Sequence, residues 1–269
     1  MFILIIKTFN PNIILATDNL HIGYRSKKVQ TLIASNINIE IEEGELVALV
    51  GINGVGKSTL LRSLSGVQEL LKGDILIEGK PLKSIPSEKL SELISIVLTE
   101  QPISKNLSVF ELIALGRQPY TNWIGTLTSN DLNYIQNALK LVDIENLQHK
   151  KCYELSDGQL QKVLIARAIA QDTPLVILDE PTTHLDIYHQ AYILKLLKKL
   201  TVQTKKSILF ATHEINLALQ LCDRIILMEQ NKVSVGTPKE LIEDDVFSRM
   251  FPSDLIFFDK ISQSFKIKT

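Results

Sequence analysis

Leu46-Val47-Ala48-Leu49-Val50-Gly51-Ile52-Asn53-Gly54-Val55-Gly56-Lys57-Ser58-Thr59 is the stretch whose reading decides the fold. Its first five residues form a continuous apolar run, too short for a globular helix, and read as a strand. The run enters a glycine-rich loop, which leads into a helical segment from Ser58 to about Ser65. Gly51, Gly56, Lys57 and Ser58 give the spacing G-x-x-x-x-G-K-[ST]. Glycines at 51, 54 and 56 let the backbone wrap closely around phosphate, where a Cβ would block the approach. Backbone N–H groups and the positive end of the helix then face the anion. Lys57 adds a mobile charge for the β- and γ-phosphates, and the Ser58 hydroxyl can join a Mg²⁺ shell. The competing reading is a glycine turn with a chance lysine, and the strand and helix on either side weigh against it. A nucleoside triphosphate is the expected ligand.

Outward from this loop, Ile13 to Gly23 reads as a strand and turn, followed by Tyr24 and the polar stretch Arg25–Lys28. Ile37-Asn38-Ile39-Glu40-Ile41 alternates strictly, the pattern of a half-buried antiparallel strand. Gly66 is placed to close the helix after the loop, and Gly73–Lys80 reads as part of a hairpin. Leu93–Leu98 is another strand-like run. From about Pro102 to Tyr153 the pattern changes to helical periodicity, at Val109–Leu115 and Asp131–Leu141, with irregular chain around Pro119–Gly125. Strands then alternate with helices: helix Leu160–Ala170, strand Leu175–Leu178, helix Ile187–Leu200, strand Ile208–Thr212, helix Ile215–Leu221, strand Arg224–Met228. That alternation predicts a largely parallel sheet. A helix started by Pro238 runs to Ile242, and the end of the chain is weakly patterned.

At 269 residues the chain is long enough for one compound core or a core plus a subdomain. Hydrophobic residues at 45% and charged residues at 22% are ordinary for a soluble globular protein. A net charge of −1 gives no electrostatic case for nucleic acid as a partner. Cys152 and Cys222, far apart, imply neither a disulfide framework nor a zinc cluster. No apolar run approaches a membrane span. Phe2–Ile6 is apolar but stops at Lys7 without a basic n-region or cleavage site, so a start strand or ragged leader is expected rather than a signal peptide. Any membrane is expected to be reached through a partner.

The second half turns a triphosphate site into a particular machine. Leu175-Val176-Ile177-Leu178-Asp179-Glu180 is an apolar strand ending in two acids. In a parallel sheet the strand C-termini gather at the ligand crevice, which brings Asp179 and Glu180 beside the glycine loop. Asp179 can hold Mg²⁺, and Glu180 can orient and deprotonate an attacking water. A solvated acidic turn is the plainer reading when the strand is taken alone. Leu155-Ser156-Asp157-Gly158-Gln159 precedes a helix and reads locally as an N-cap, or as an anion site at a helix N-terminus. Together with Thr183-His184-Leu185-Asp186 and Ala211-Thr212-His213, in this order, the set resembles the ATP-binding subunit of an ABC transporter from about Ile13 to Pro238.

That resemblance implies an α/β fold: a P-loop NTPase (RecA-like) core with an N-terminal antiparallel β-subdomain and an inserted helical subdomain. The nucleotide-binding domain would span 13–238, with the helical insertion at about 102–160, and 239–269 would form a C-terminal tail. It implies ATP and Mg²⁺ as ligands. Tyr24 resembles the aromatic that stacks on adenine. Gly51 to Thr59, with Asn53, Gly54, Gly56, Lys57, Ser58 and Thr59, match the Walker A loop. Ser156, Gly158 and Gln159 match the signature LSGGQ, which contacts the γ-phosphate held by the other subunit of a homodimer. Asp179 and Glu180 match the Walker B aspartate and catalytic glutamate, Asp186 the loop that communicates across the dimer, and His213 the switch histidine on the γ-phosphate. Gln101 is the candidate for the Q-loop metal contact, with Thr99 and Glu100 as alternatives by register. Asp157 departs from the usual glycine and adds a carboxylate near a phosphate site; aspartate tolerates unusual φ, which would preserve the geometry, while repulsion could slow ATP capture.

Within the family, Ala114–Tyr120, Gln171–Pro174 and Ala211–Leu219 look like the ferric-siderophore, haem and vitamin B12 importers. Such importers imply a separate polytopic permease, a substrate-binding protein met only indirectly, and a peripheral place on the cytoplasmic face of the inner membrane. Two other readings compete. A soluble ABC-type clamp or regulatory factor usually carries two cassettes or a long coiled-coil insertion, and this chain has neither. A small-molecule P-loop kinase would leave Leu155–Gln159 and His213 without a role.

Overall fold

The computed structural model describes residues 10–25, 29–98, 104–230, 232–251 and 254–268. The apolar start Phe2–Ile6 and the Q-loop candidates Thr99, Glu100 and Gln101 lie outside them. The strand Leu46–Val50 sits inside a six-stranded sheet ordered Lys232–Gly236, Arg224–Glu229, Leu46–Val50, Ser207–Thr212, Leu175–Leu178, Ile94–Val97. Every neighbouring pair is parallel except the antiparallel edge pair Arg224–Glu229 and Lys232–Gly236. Val50 stands opposite both Thr212 and Leu227, so the chain leaves the sheet at one edge after Val50, Leu178 and Thr212. That edge collects the glycine loop, the two acids and His213.

All five residues of Leu46–Val50 are buried, and they divide between two cores by the period of two that a strand imposes. Leu46, Ala48 and Val50 face a cluster built with the helices Asp157–Ala170, Ile187–Thr204 and Ile215–Leu221. Val47 and Leu49 face a second cluster containing Leu60, Leu61 and Leu64 of the helix Lys57–Leu64 together with residues of a second sheet. A strand covered on both faces must be apolar throughout, which is why it is a run and not an alternation. Gly66 follows the helix and donates its N–H to Ser63 O at 3.1 Å, closing it where the sequence places the stop.

The second sheet is antiparallel, ordered Gln30–Ile37, Ile13–Arg25, Lys72–Ile77, Lys80–Pro81, with Glu40–Glu42 also paired to Ile13–Arg25. Here one sequence expectation is corrected. Ile37–Ile41 is not one strand but the junction of two, although Ile37, Ile39 and Ile41 are buried and Asn38 and Glu40 exposed as their alternation predicts. Thr17 interrupts the ladder: its hydroxyl donates to Ile37 O at 2.9 Å and accepts from Ile39 N–H at 2.8 Å. These bonds satisfy the backbone where strand pairing stops. The strand Gln30–Ile37 and a terminal hairpin, Ile256–Asp259 with Ser264–Ile267, have no counterpart in the sequence reading. In the hairpin Phe258 and Phe265 pack with Phe247 and Phe251, an aromatic cluster with no period to announce it. Among the described residues no helix is long and apolar enough to cross a membrane.

Between Ile94–Val97 and the helix Asp157–Ala170, the regular elements among the described residues are all helices or 3₁₀ turns, apart from a single bridge between Ser108 and Lys151. The helices Val109–Ala114 and Ser129–Leu141 both begin with a capping box, Ser108 with Glu111 and Thr128 with Asp131. The stretch Leu115–Tyr120 is a 3₁₀ turn pressed against the helix Asp157–Ala170. A Cβ on Gly116 would stand 2.3 Å from Arg167 O, so only glycine admits that approach. Beside it Arg117, 3% exposed, donates to Asp131 Oδ1 at 2.9 Å and to Ala170 O at 2.7 Å. Its guanidinium lies between the rings of Tyr120 (4.0 Å) and Tyr134 (4.2 Å). The arginine thus ties the helical segment to the carbonyl end of the helix that follows Ser156, where a cation is favoured.

Hydrogen bonds from Thr128, with Arg117 adding to them, hold the Asp131 carboxyl below its ordinary value of 3.8 against the opposing pull of burial. A depressed carboxylate stabilises the fold above its unfolded value, and that stability is lost as pH falls through the folded one. Arg117→Met leaves Asp131 buried without its cation and is expected to lower unfolding free energy by about 3–5 kcal/mol. In denaturant titrations the gap between wild type and variant should be widest above the ordinary carboxylate range and narrow on acidification. A gap independent of pH would show that the ion pair is not its source.

Candidate functional site

The glycine loop turns at the end of Leu46–Val50 and leads into the helix Lys57–Leu64. Gly56 adopts φ +111°, and a Cβ there would meet Ile33 Cγ2 at 2.3 Å, so both conformation and space require glycine. No acidic residue lies in the first turn of the helix, so its positive end is left to an external anion. The loop floors a cleft of about 460 Å³. Tyr24, Asn53, Gly54, Gly56, Lys57, Ser58, Thr59 and Glu180 all line it, with Ile33 as the apolar member. Tyr24 is half exposed on the rim, and its hydroxyl lies 2.9 Å from Thr59 Oγ1, which holds the ring beside the loop.

Lys57 is 6% exposed and folds back on its own loop. Its ammonium donates to Gly51 O at 2.9 Å, with Ile52 O at 3.4 Å and Asn53 Oδ1 at 3.5 Å, and Glu180 Oε1 lies 3.8 Å away. Burial pulls its pKa down, opposed by Glu180 and then Asp179. Phosphate oxygens in the cleft would complete a coordination that backbone carbonyls satisfy only in part.

Asp179 and Glu180 follow the buried strand Leu175–Leu178, and Asp179 N–H donates to Val97 O at 2.8 Å. Ser58 Oγ donates to Asp179 Oδ1 at 3.2 Å, joining the glycine loop to the acidic strand end. Burial pushes the Asp179 carboxyl up, with the Ser58 bond pulling the other way. Two hard oxygens side by side, one of them a buried carboxylate, fit a Mg²⁺ ion, which would relieve the desolvation. Glu180 sits at φ +48°, a conformation glutamate rarely takes, and Thr183 Oγ1 donates to its Oε2 at 3.0 Å. Strain of this kind collects where a side chain is held for a task.

The remaining candidates lie elsewhere. Ser156 caps the helix Asp157–Ala170 in a reciprocal box with Gln159: Gln159 N–H donates to Ser156 Oγ at 3.3 Å and Ser156 N–H to Gln159 Oε1 at 3.1 Å. Ser156, Gly158 and Gln159 line a separate cavity of about 300 Å³ and no part of the Lys57 cleft. Asp157 lines another cavity, of about 210 Å³, shared with the same chain's Asp179, Glu180 and His184. Asp186 caps the helix Ile187–Thr204. His213 ends the strand Ser207–Thr212 with its Nε2 3.2 Å from Glu214 Oε1, outside the cleft lining. Lys162, His189 and Tyr192, absent from the motif reading, share the cavity of Ser156. Lys162 donates to Tyr192 Oη at 3.1 Å, and His189 Nδ1 lies 2.9 Å from Asp186. The i, i+3 spacing of Asp186 and His189 on a helix start is the signal that points to the second pair.

Residues 34–183 match the family model described as ABC transporter. The iron(3+)-hydroxamate import ATP-binding protein FhuC of Bacillus subtilis is 33% identical over 89% of this chain and 88% of its own length. The petrobactin import ATP-binding protein FpuD of Bacillus anthracis is 33% identical over 82% of each. Among solved structures, an ATP-binding cassette dimer in a post-hydrolysis state with ADP and Pi aligns at TM-score 0.71 and 27% identity. It covers 83% of this chain and 98% of its own.

Lys57→Ala removes the buried cation from the cleft while leaving the loop backbone in place. ATP affinity, measured by fluorescent-nucleotide titration, is expected to fall about 10- to 100-fold, the worth of one charge-assisted contact. Unchanged affinity would contradict the assignment of the phosphates to this loop.

Proposed function

The chain belongs to the ABC transporter family of ATP-binding proteins, and from that premise we propose that it is the ATP-hydrolysing subunit of an importer. The cargo proposed is an iron complex (ferric siderophore or haem) or cobalamin, passed through a separate polytopic permease. The observation that carries the chemistry is the convergence of Lys57, the Ser58–Asp179 pair and Glu180 on one cleft. The import proposal draws on relatives named for iron-hydroxamate and petrobactin import and on the motif Gly116-Arg117, whose burial gives it a physical reason.

In this mechanism the cleft binds MgATP with its phosphates on the backbone N–H groups of Gly54 to Ser58 and on Lys57. Ser58 and Asp179 would hold Mg²⁺, which neutralises charge on the phosphates. Glu180 orients the attacking water and takes its proton, and His213 reaches the γ-phosphate on closure. Glu180 Oε1 now faces Lys57 at 3.8 Å, a contact that phosphate would displace, freeing the carboxylate. Ser156, Gly158 and Gln159 line a cavity separate from the nucleotide cleft. They are assigned to the nucleotide of a second copy, giving a head-to-tail homodimer with two composite sites. The assembly would sit on the cytoplasmic face of the membrane, held there by the permease, with a substrate-binding protein acting on the far side.

Glu180→Gln is expected to keep ATP affinity and to lower turnover by about 10² or more, the typical contribution of a positioned base. Uptake of the iron complex by cells carrying the variant should fall with it, and tagged chain should co-purify with a polytopic membrane protein. Turnover at the wild-type level would move the base elsewhere, and a chain recovered without a membrane partner would count against import.

A further inference from the structure

Two helix starts meet on the face that carries Ser156. The helix Ile187–Thr204 begins at Asp186, whose carboxylate accepts the backbone N–H of His189 at 2.9 Å. Both carboxylate oxygens also lie 2.9 Å from His189 Nδ1. An ionised carboxylate only accepts, so Nδ1 carries the proton and the ring is fixed in one orientation. The opposite edge of the ring approaches the neighbouring helix start: a Cβ built on Gly158 would stand 3.2 Å from His189 Cδ2, tighter than an ordinary contact. Tyr188 braces the ring edge-on, with centroids 5.4 Å apart. His189 and Tyr188 from one segment, and Ser156, Gly158 and Gln159 from the other, line the same cavity of about 300 Å³.

The helix cap does not need an imidazole. Asp186 accepts the backbone N–H at position 189 whatever side chain stands there, so the ring's bond to the carboxylate and its approach to Gly158 are additional. They add little to folding stability, since His189 and Asp186 are both largely exposed, with side chains 52% and 64% accessible. What the ring does is set the spacing between two segments that face outward together.

We propose that His189 is a positioning residue for ATP hydrolysis: oriented by Asp186, its ring holds the Ser156–Gln159 segment and the Asp186 loop at a fixed separation, so that both meet the nucleotide of a second copy at once. This rests on the reading that Ser156–Gln159 completes a site across subunits. Glycine at 158 is then the room left for the ring, and the Asp186–His189 pair links the two segments.

The test compares His189→Leu, which removes the N–H, with His189→Asn, whose amide places an N–H near the former Nδ1. In the full chain with its permease, His189→Leu should lower kcat about tenfold, the worth of one hydrogen bond to a charged group. Nucleotide affinity of the isolated chain and the thermal midpoint should stay at wild-type values. His189→Asn should recover most of kcat. In an Asp186→Ala background His189→Leu should cost no more than about a further twofold, because the bond it breaks is already gone. Wild-type kcat in His189→Leu, no recovery in His189→Asn, or fully multiplicative losses would overturn the proposal. So would a fall in thermal midpoint that tracks kcat in both variants. Ser156→Arg, measured alongside, separates the two failures. If it leaves turnover untouched the cross-subunit reading itself is wrong, whereas loss there with none in His189→Leu removes only the role of the ring.

Discussion

Burial of Leu46–Val50 on both faces is the constraint from which the rest follows. A strand with Val47 and Leu49 in one core and Leu46, Ala48 and Val50 in the other cannot shift by one residue without exchanging the two sets. Parallel pairing on both flanks fixes its ends relative to Arg224–Glu229 and Ser207–Thr212. The next strand along, Leu175–Leu178, is locked in turn to Ser207–Thr212. The glycine loop and the two acids are therefore brought to one edge by register alone. The bond from Ser58 to Asp179 at 3.2 Å joins residues 121 positions apart, and only that register makes it possible.

The electrostatics of the cleft describe a site awaiting a polyanion. Lys57 is buried with its charge turned onto loop carbonyls, and its pKa is pulled down. Asp179 is buried with its carboxyl pushed up. Each is penalised for the state it must adopt in function, and each penalty is relieved by the opposite charge of phosphate or Mg²⁺. Glu180, held at positive φ and tethered by Thr183, belongs to the same pattern of local cost. A second constellation, around Ser156 and His189, lines a cavity to which none of the glycine-loop residues belong.

The parallel core was legible because its signals are local and redundant. Apolar runs such as Leu175–Leu178 and Ser207–Thr212 are bounded by helices, and the glycine spacing carries its own chemistry. Ile37–Ile41 misled because its alternation reports burial, which is right, while the strand break comes from Thr17, twenty residues away. Gln30–Ile37 escaped notice because its first three residues are exposed, so no clear period appears. The position of Asp157 was not legible from its motif, since the side chains of a helix start diverge and adjacent residues line different cavities. His189 could have been found from its spacing to Asp186, but its approach to Gly158 lies between two helices and has no trace in either segment.

If the chain carries halves of two different sites, as proposed, mixing two disabled proteins restores one of them. One carries Lys57→Ala and the other Ser156→Arg, and neither alone can assemble an intact site. Their mixture can, from the loop of the second and the Ser156 segment of the first. Sedimentation with and without ATP, on each protein and on the mixture, is the measurement. An ATP-dependent dimer is expected in the mixture and none in either protein alone. An ATP-dependent dimer of the Ser156→Arg protein equal to that of wild type, or a mixture that stays monomeric with ATP bound, would contradict it.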